Sequence, residues 1–179
     1  MKLAIGPGKF IEIVEGDITA IEADAIVNAA NSALAGGGGV DGAIHHAGGP
    51  SLMAELDGIR KRDGGCATGG AVATGPGLLK ARYVFHAVGP IYRDGTRGEA
   101  ALLRACYAAC FRLAEERGLR RIAFPAISAG AYGYPFAEAA RIGLAAAREH
   151  LERAAGSVRE AIFVLFGQSA YRTYERLLR

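Results

Sequence analysis

The hydrophobic positions of this chain fall into two kinds of segment, which alternate along most of its length. In the first kind, apolar residues alternate with polar ones or form a short unbroken run, as in half-exposed and buried strands. In the second kind, apolar residues recur every three or four positions, which is typical of amphipathic helices. The predicted strands are residues 10–14, 23–30, 71–74, 83–88, 121–126 and 161–166. The predicted helices are residues 41–47, with Asp41 as N-cap, and 50–61, 98–117, 135–154 and 169–178.

The alternation of these elements predicts an α/β fold. The segments 83–88, 121–126 and 161–166 are mostly apolar, so the strands they form require cover on both faces of a sheet. The length of 179 residues predicts one domain, residues 1–179. Ligands of such folds bind in the crevice at the carboxyl ends of the strands, which directs attention to the loops there.

The end of strand 23–30 and the loop after it hold both asparagines of the chain, Asn28 and Asn31. The only other side-chain amide is that of Gln168, and four consecutive glycines occupy positions 36–39. Consecutive glycine N–H groups can approach an anion closely, and the N-terminus of the helix predicted next adds its dipole. These features predict a site for a polar, anionic ligand; the alternative is that the glycines only form a tight turn.

Gly37, Gly39 and Gly42 have the spacing of the dinucleotide-binding fingerprint, but the rest of that motif is missing. The fingerprint needs a second strand that ends in an acidic residue about 20 residues later. Here that stretch is predicted to be helical through Asp63, which excludes a nicotinamide-binding interpretation. No Gly-Lys-Ser/Thr follows the glycines, which also excludes the loop of a nucleoside triphosphatase.

A second loop of small residues, 127–135, also follows a buried strand and precedes a helix. Two such loops side by side can hold two phosphates through their backbone N–H groups. Ser128 does not have the context of a nucleophile elbow, because Ala126 stands where that motif requires glycine. Asp17, which follows strand 10–14, is either a cap or an acceptor for an exocyclic amine such as that of adenine.

Composition and charge narrow the class of protein. With 51% hydrophobic and 22% charged residues the chain is globular, and its net charge of +3, scattered along helices, argues against nucleic acid as the main partner. No apolar run approaches the length of a membrane span, and Gly6 interrupts the N-terminal segment too early for a signal peptide, so the cytoplasm is expected. Seventeen arginines against four lysines, with few amides, suit a thermophilic or GC-rich source.

The three cysteines and four histidines show neither the spacing of a disulfide framework nor that of a metal site. Cys106 and Cys110 lie four positions apart on one face of a predicted helix and are expected to be buried as small hydrophobic residues. The histidines are expected to have packing or surface roles. No metal and no other cofactor is predicted.

Six segments, in order over nearly the whole chain, resemble the macrodomain family. They are Gly-Asp-Ile-Thr at 16–19, Asp-Ala-Ile-Val-Asn-Ala-Ala-Asn at 24–31, residues 36–44, Cys-Ala-Thr-Gly at 66–69, His-Ala-Val-Gly-Pro at 86–90, and residues 127–135. The stretches Gly-Gly-Gly-Val-Asp-Gly and Tyr-Gly-Tyr-Pro are similar to those of the MacroD-like hydrolases rather than the histone-variant binders. The chain departs from the family at Ala129, where Thr is frequent, and at Ala47-Gly48-Gly49, where Ala-Ala-Gly is common.

The resemblance implies a three-layer α/β/α sandwich around a mixed, mostly parallel sheet, with ADP-ribose in the crevice. Asp17 would accept a hydrogen bond from the adenine amine, the Ile18 amide would contact the ring, and Phe166 would stack on it. Backbone amides of two segments would wrap the diphosphate. These residues are Gly37, Gly38, Gly39 and Val40 in the first loop, and Ser128, Ala129, Gly130, Ala131 and Tyr132 in the second.

The resemblance also implies roles at the distal ribose. Asn31 and Asp41 would face this sugar and Tyr132 would form a wall beside it, while Asn28 would hold the backbone of the loop. MacroD-like enzymes remove ADP-ribose from acidic side chains of proteins and deacetylate O-acetyl-ADP-ribose, both without a metal and both at an ester near the distal ribose. The expected activity is therefore that of an ADP-ribosyl-ester hydrolase.

In this mechanism Asn31 orients the ribose, and Asp41 positions or deprotonates a water molecule. One alternative is a binding module that reads ADP-ribosylated proteins with the same pocket and without catalysis. Another is a module that binds nucleic acid or poly-ADP-ribose through its phosphate loops, but the mild net charge argues against it.

Overall fold

The computed structural model describes residues 1–179, which contain seven strands and five α-helices. The strands are β1 (Lys2–Gly6), β2 (Lys9–Glu15), β3 (Ala25–Ala29), β4 (Ala71–Thr74), β5 (Tyr83–Ala87), β6 (Arg121–Phe124) and β7 (Glu160–Leu165). The helices are α1 (Gly39–Gly48), α2 (Pro50–Asp63), α3 (Glu99–Glu116), α4 (Phe136–Glu152) and α5 (Gln168–Leu178), and a 3-10 helix spans Ile18–Ala20.

All seven strands form one mixed sheet in the order β1-β2-β7-β6-β3-β5-β4. The five central strands are parallel, whereas β1 and β4 pair antiparallel with their neighbours at the two edges. The parallel arrangement places the carboxyl ends of β2, β7, β6, β3 and β5 at one edge, where the predicted ligand loops emerge. The predicted mixed, mostly parallel sheet is confirmed.

The side chains of the sheet divide between two helical layers. On one face, sheet residues such as Val27, Phe85 and Phe163 pack with α3, α4 and α5 in a cluster of 29 buried residues. On the other, Ile26, Val84 and neighbours pack against α1 and α2 in a cluster of 10. This alternation along each strand produces the predicted three-layer α/β/α sandwich. The helices are all too short or too polar to cross a lipid bilayer.

Each predicted strand and helix exists, with bounds that differ by a few residues, but β1 and the 3-10 helix were not predicted from the sequence. Strand β1 forms a hairpin with β2 through Pro7 and Gly8, and Gly8 adopts the positive φ of 67° that this tight turn requires. Cys106 and Cys110 are fully buried and unpaired, as predicted, and burial raises the pKa of the Cys106 thiol to about 12.

Candidate functional site

A cavity of about 690 Å³ lies at the carboxyl ends of the parallel strands. It is lined by residues that follow β2, β3, β6 and β7 and by the first turn of α1. All fourteen residues that the sequence analysis predicts for ligand binding or catalysis line this single cavity. The structure therefore brings together residues that lie up to 149 positions apart in the chain, from Asp17 to Phe166.

Asp17 and Phe166 mark one end of the cavity. The Oδ1 atom of Asp17 accepts hydrogen bonds from the backbone N–H of Thr19 at 2.8 Å and from its hydroxyl at 2.7 Å. Asp17 thus caps the 3-10 helix, as one of the two predicted interpretations required. Phe166 follows the last residue of β7 and is 88% exposed, so its ring is free to cover a planar group.

The glycine loop leaves a row of backbone N–H groups without partners. No hydrogen bond within the protein uses the N–H groups of Gly37, Gly38, Gly39 or Val40. Gly39 is the first residue of α1 and has a φ of 57°, which glycine adopts without strain. These free N–H groups therefore lie at the N-terminus of α1, the positive end of the helix dipole. A Cβ at Gly42 would lie 2.7 Å from the carbonyl oxygen of Gly37, so the loop folds back tightly on the helix.

The second loop offers a similar set of donors. The N–H groups of Gly130, Ala131 and Tyr132 form no hydrogen bond within the protein. Two carbonyl groups of the loop accept hydrogen bonds that fix its conformation. Tyr134 N–H donates to the Ser128 carbonyl at 3.0 Å, and Tyr92 N–H donates to the Tyr132 carbonyl at 2.8 Å. Two rows of free N–H groups around one cavity can bind an anion with two charged groups.

The contacts to the loop backbone that were predicted for Asn28 are made by Asn31, whose place beside the ligand stays a prediction. Asn31, expected to face the ligand, donates from Nδ2 to the Gly36 carbonyl at 2.9 Å and accepts at Oδ1 from the Ala35 N–H at 3.1 Å. It is therefore Asn31 that holds the loop backbone, while it also lines the cavity. Asn28, expected to have that role, is a β3 residue whose side chain points under α1 and donates to Asp41 Oδ1 at 2.6 Å.

Asp41 is not the N-cap of α1, contrary to the prediction. Helix α1 begins at Gly39 with Gly38 as its cap residue, because the glycine backbone itself turns into the helix. Asp41 therefore lies within the first turn, where a carboxylate is favoured by the helix dipole. It is only 5% exposed, yet it lines the cavity, and one oxygen is engaged by Asn28.

Two histidines near this carboxylate were not predicted from the sequence. The Nε2 atom of His45 lies 3.3 Å from Asp41 Oδ1, and the separation of four positions on a predicted helix was a usable signal. His86, which is fully buried on β5, lies 3.1 Å from Asn28 Nδ2 through its Nδ1 atom. No local pattern indicates this second contact, because it depends on the pairing of β3 with β5.

Comparison with known proteins agrees with this arrangement. The Macro domain family model matches residues 27–143. A macro domain-containing protein of Caldanaerobacter subterraneus subsp. tengcongensis is 52% identical over 93% of this chain and 94% of its own length. A Salmonella typhimurium protein named O-acetyl-ADP-ribose deacetylase is 48% identical over 94% of this chain and 93% of its own.

Solved structures show the same fold. A variant Oceanobacillus iheyensis macrodomain with ADPR superimposes with a TM-score of 0.94 at 40% identity, covering 99% of this chain and 96% of that one. The Trypanosoma brucei macrodomain in complex with ADP-ribose gives a TM-score of 0.85 at 42% identity, over 94% and 69% of the two chains. Sheet order, cavity and sequence together show that this chain belongs to the macrodomain family.

Proposed function

We propose that this chain binds ADP-ribose and hydrolyses ADP-ribose esters, both O-acetyl-ADP-ribose and mono-ADP-ribosylated acidic side chains, without a metal. One observation carries the proposal: two loops with unpaired backbone N–H groups enclose the same cavity as a nearly buried carboxylate, Asp41. The loops provide a site for a diphosphate, and the carboxylate provides a group that can act on water. The name of the Salmonella relative, O-acetyl-ADP-ribose deacetylase, supports the same activity.

The lengths and positions of these groups suggest one orientation of the ligand. Adenine lies between Asp17 and Phe166, with its amine near the carboxylate and its ring stacked on Phe166. The diphosphate lies between the N–H groups of residues 37–40 and 128–132. The distal ribose then lies near Asn31 and Asp41, with Tyr132 beside it.

Hydrolysis of an ester at the distal ribose adds the water oxygen to one of two atoms. Attack on the acyl carbon breaks its bond to the ribose oxygen, which takes a proton, whereas attack on the ribose carbon breaks its bond to the carboxylate oxygen and releases the carboxylate. Asp41 positions this water or accepts its proton, and the loop amides stabilise the negative charge that develops. Asn31 fixes the glycine loop, through Gly36 and Ala35, against which the ribose is oriented. For O-acetyl-ADP-ribose the products are acetate and ADP-ribose.

The decisive experiment measures release of ADP-ribose from a glutamate-ADP-ribosylated protein, and of acetate from O-acetyl-ADP-ribose, by wild type, Asp41→Ala and Asn31→Ala. Calorimetry with ADP-ribose runs on the same samples. We expect Asp41→Ala to lose turnover by about 10²- to 10⁴-fold, the range for a lost acid–base group. We expect Asn31→Ala to lose turnover as well, because the ribose is no longer oriented, and both variants to lose less affinity than turnover. Full turnover in both variants would contradict this mechanism.

A wild type that binds ADP-ribose but leaves both esters intact would instead be a reader of ADP-ribosylated proteins. We further propose that residues 1–179 act as one domain, since strands from both ends of the chain share one sheet, and that ADP-ribosylated proteins are its partners. Three unpaired cysteines are in keeping with a cytoplasmic location.

A further inference from the structure

Behind Asp41 a chain of buried hydrogen bonds runs across three strands of the sheet. Asn28 on β3 donates to Asp41 Oδ1 at 2.6 Å and lies 3.1 Å from His86 Nδ1 on β5. The other ring nitrogen, His86 Nε2, is 2.9 Å from the hydroxyl of Thr74 on β4. That hydroxyl is also 2.9 Å from the Gly75 carbonyl. None of Asn28, His86 and Thr74 lines the cavity.

The strand register explains why these side chains meet. Asn28 and His86 are directly opposite each other in the parallel β3–β5 ladder, so both side chains project to the face that α1 covers. Thr74 pairs with Val84, two residues before His86 on the antiparallel neighbour, and thus projects to the same face. Thr74 is 2% exposed and the other two are fully buried, so water does not compete for these bonds.

The donors and acceptors fit together in only one direction. A carboxylate only accepts, so Asn28 must turn its NH₂ group to Asp41. The second N–H of the same group then donates to His86 Nδ1, which must be without a proton. The proton of the neutral ring is therefore on Nε2 and is donated to Thr74, whose own hydroxyl proton is donated to the Gly75 carbonyl.

The tautomer of His86 controls the orientation of the Asn28 amide for two reasons. Burial and the neighbouring His45 lower the pKa of His86 to about 3, so the ring is neutral at ordinary pH and its tautomer is the property that can vary. The Oδ1 atom of Asn28 is buried without a hydrogen-bond partner. The orientation of the Asn28 amide is therefore fixed only by the two hydrogen bonds of its NH₂ group, to Asp41 and to His86.

We propose that His86, with its tautomer fixed by Thr74, is a positioning residue for Asp41. If His86 carried its proton on Nδ1, two donors, this N–H and the Asn28 NH₂ group, would face each other. The amide would then turn, and its carbonyl oxygen would repel the Asp41 carboxylate. The inference rests on the proposed function, because its consequence for catalysis requires Asp41 to act on the ester.

The test compares Thr74→Val, which keeps the side-chain shape but removes the hydroxyl, with Thr74→Ser, which keeps the hydroxyl. We expect Thr74→Val to lower kcat for O-acetyl-ADP-ribose about tenfold while the Kd for ADP-ribose stays within about threefold, since a misplaced buried hydrogen bond leaves its groups unsatisfied. Thr74→Ser should recover most of kcat. Unchanged kcat in Thr74→Val, beside an active wild type, overturns the inference.

A spectroscopic measurement tests the positioning independently of catalysis. The chain has only three side-chain amide groups, so the NH₂ signals of Asn28, Asn31 and Gln168 can be distinguished in a ¹⁵N-labelled sample and assigned with Asn31→Ala. We expect the ring ¹⁵N signals of His86 in wild type to show that Nδ1 carries no proton. We also expect the Asn28 signals to change in Thr74→Val and to return in Thr74→Ser.

A protonated Nδ1 in the wild type overturns the inference, even if Thr74→Val fails to fold. A loss of turnover in Thr74→Val without change in the Asn28 signals also overturns it, because the effect would then have another origin. If wild type hydrolyses neither ester, the proposed function fails, while the ring and amide signals still decide whether His86 orients Asn28.

Discussion

The two carboxylate oxygens of Asp17 have different roles, one in the fold and one toward the cavity. Both hydrogen bonds from Thr19 end on Oδ1, and no hydrogen bond within the protein reaches Oδ2. The cap therefore holds the carboxylate in place while its second oxygen can accept from a ligand. An adenine amine suits this oxygen, whereas a carbonyl at the same position would be repelled by it.

We therefore expect wild type to prefer ADP-ribose to its inosine analogue, which has a carbonyl where adenine has the amine. Asp17→Ala should lose this preference and weaken ADP-ribose binding by about tenfold or more, the value of one hydrogen bond to a charged group. Calorimetry with both ligands measures the effect.

Phe166→Ala is the matched control for Asp17→Ala. Loss of stacking costs about 1–3 kcal/mol and does not distinguish the two bases, so this variant should weaken both ligands alike and keep the preference. Equal binding of the two ligands by wild type would show that Asp17 does not face the amine.

The loop after β6 depends on close contact with a neighbouring segment. A Cβ at Gly89 would lie 2.7 Å from Ile127 Cγ2 and still closer to the Ser128 hydroxyl. Ser128 itself has a positive φ of 64° and is buried among its neighbours, so it has little freedom to move aside. The absence of a side chain at Gly89 thus keeps the second row of N–H groups in place.

Gly89→Ala is accordingly expected to lower the free energy of unfolding by about 1–3 kcal/mol, as overpacking does, and to weaken ADP-ribose binding. Urea unfolding and calorimetry check the two effects. Gly58→Ala serves as control, because Gly58 is exposed within α2 with open space around its Cβ position, and alanine there should stabilise the helix. Normal binding by Gly89→Ala would contradict this account of the loop.

The elements that the sequence predicts well are those whose signal is local. The period of apolar residues locates β4 to within a residue and finds all five helices, and glycines mark both ligand loops. Strand β1 is a run of only five residues, Lys2–Gly6, without a clear apolar–polar alternation, and its position is set by pairing with β2. Helix α1 starts two residues before the predicted Asp41, because Gly39 joins the helix although the propensity of glycine disfavours it.

The candidate site divides in the same way between local and long-range causes. Residues that use backbone groups, such as Gly37 and Gly130, can be predicted because loops at strand ends converge. The side-chain partners of Asn28 and Asn31 could not, since they depend on which side of the sheet each amide faces. His86 acquires its partner only when β3 and β5 pair.

The response of the entire fold to acid follows from three groups. Burial and His45 lower the pKa of His86 to about 3, and burial also lowers the pKa of His150. Burial alone would raise the pKa of Glu115, but hydrogen bonds from Ser157, His150 and Val158 outweigh it and lower this pKa to about 2. In each case the unfolded chain takes up a proton at a higher pH than the folded one, so acid favours unfolding.

We expect the free energy of unfolding to decrease below about pH 6.5, the ordinary pKa of histidine, and more steeply below about 4.5, where glutamate joins. Each group contributes at most about 1.4 kcal/mol per pH unit. Urea unfolding at pH 7, 6, 5 and 4 measures the slope. His46→Gln should leave it unchanged, because His46 is exposed; a flat profile between pH 6.5 and 5 would contradict the expectation.

The two helical layers are unequal, with 29 buried residues in the cluster beside α3, α4 and α5 against 10 and 5 in the two clusters beside α1 and α2. Local opening is easiest where the least apolar surface is buried, so α1 should detach from the sheet more readily than α4. A ligand that accepts hydrogen bonds from N–H groups of α1 and of the loop before α4 contacts both helical layers at the edge of the sheet. It therefore links the two layers. Binding then adds its own free energy to the cost of opening α1, and the substrate helps to secure the helix that carries Asp41.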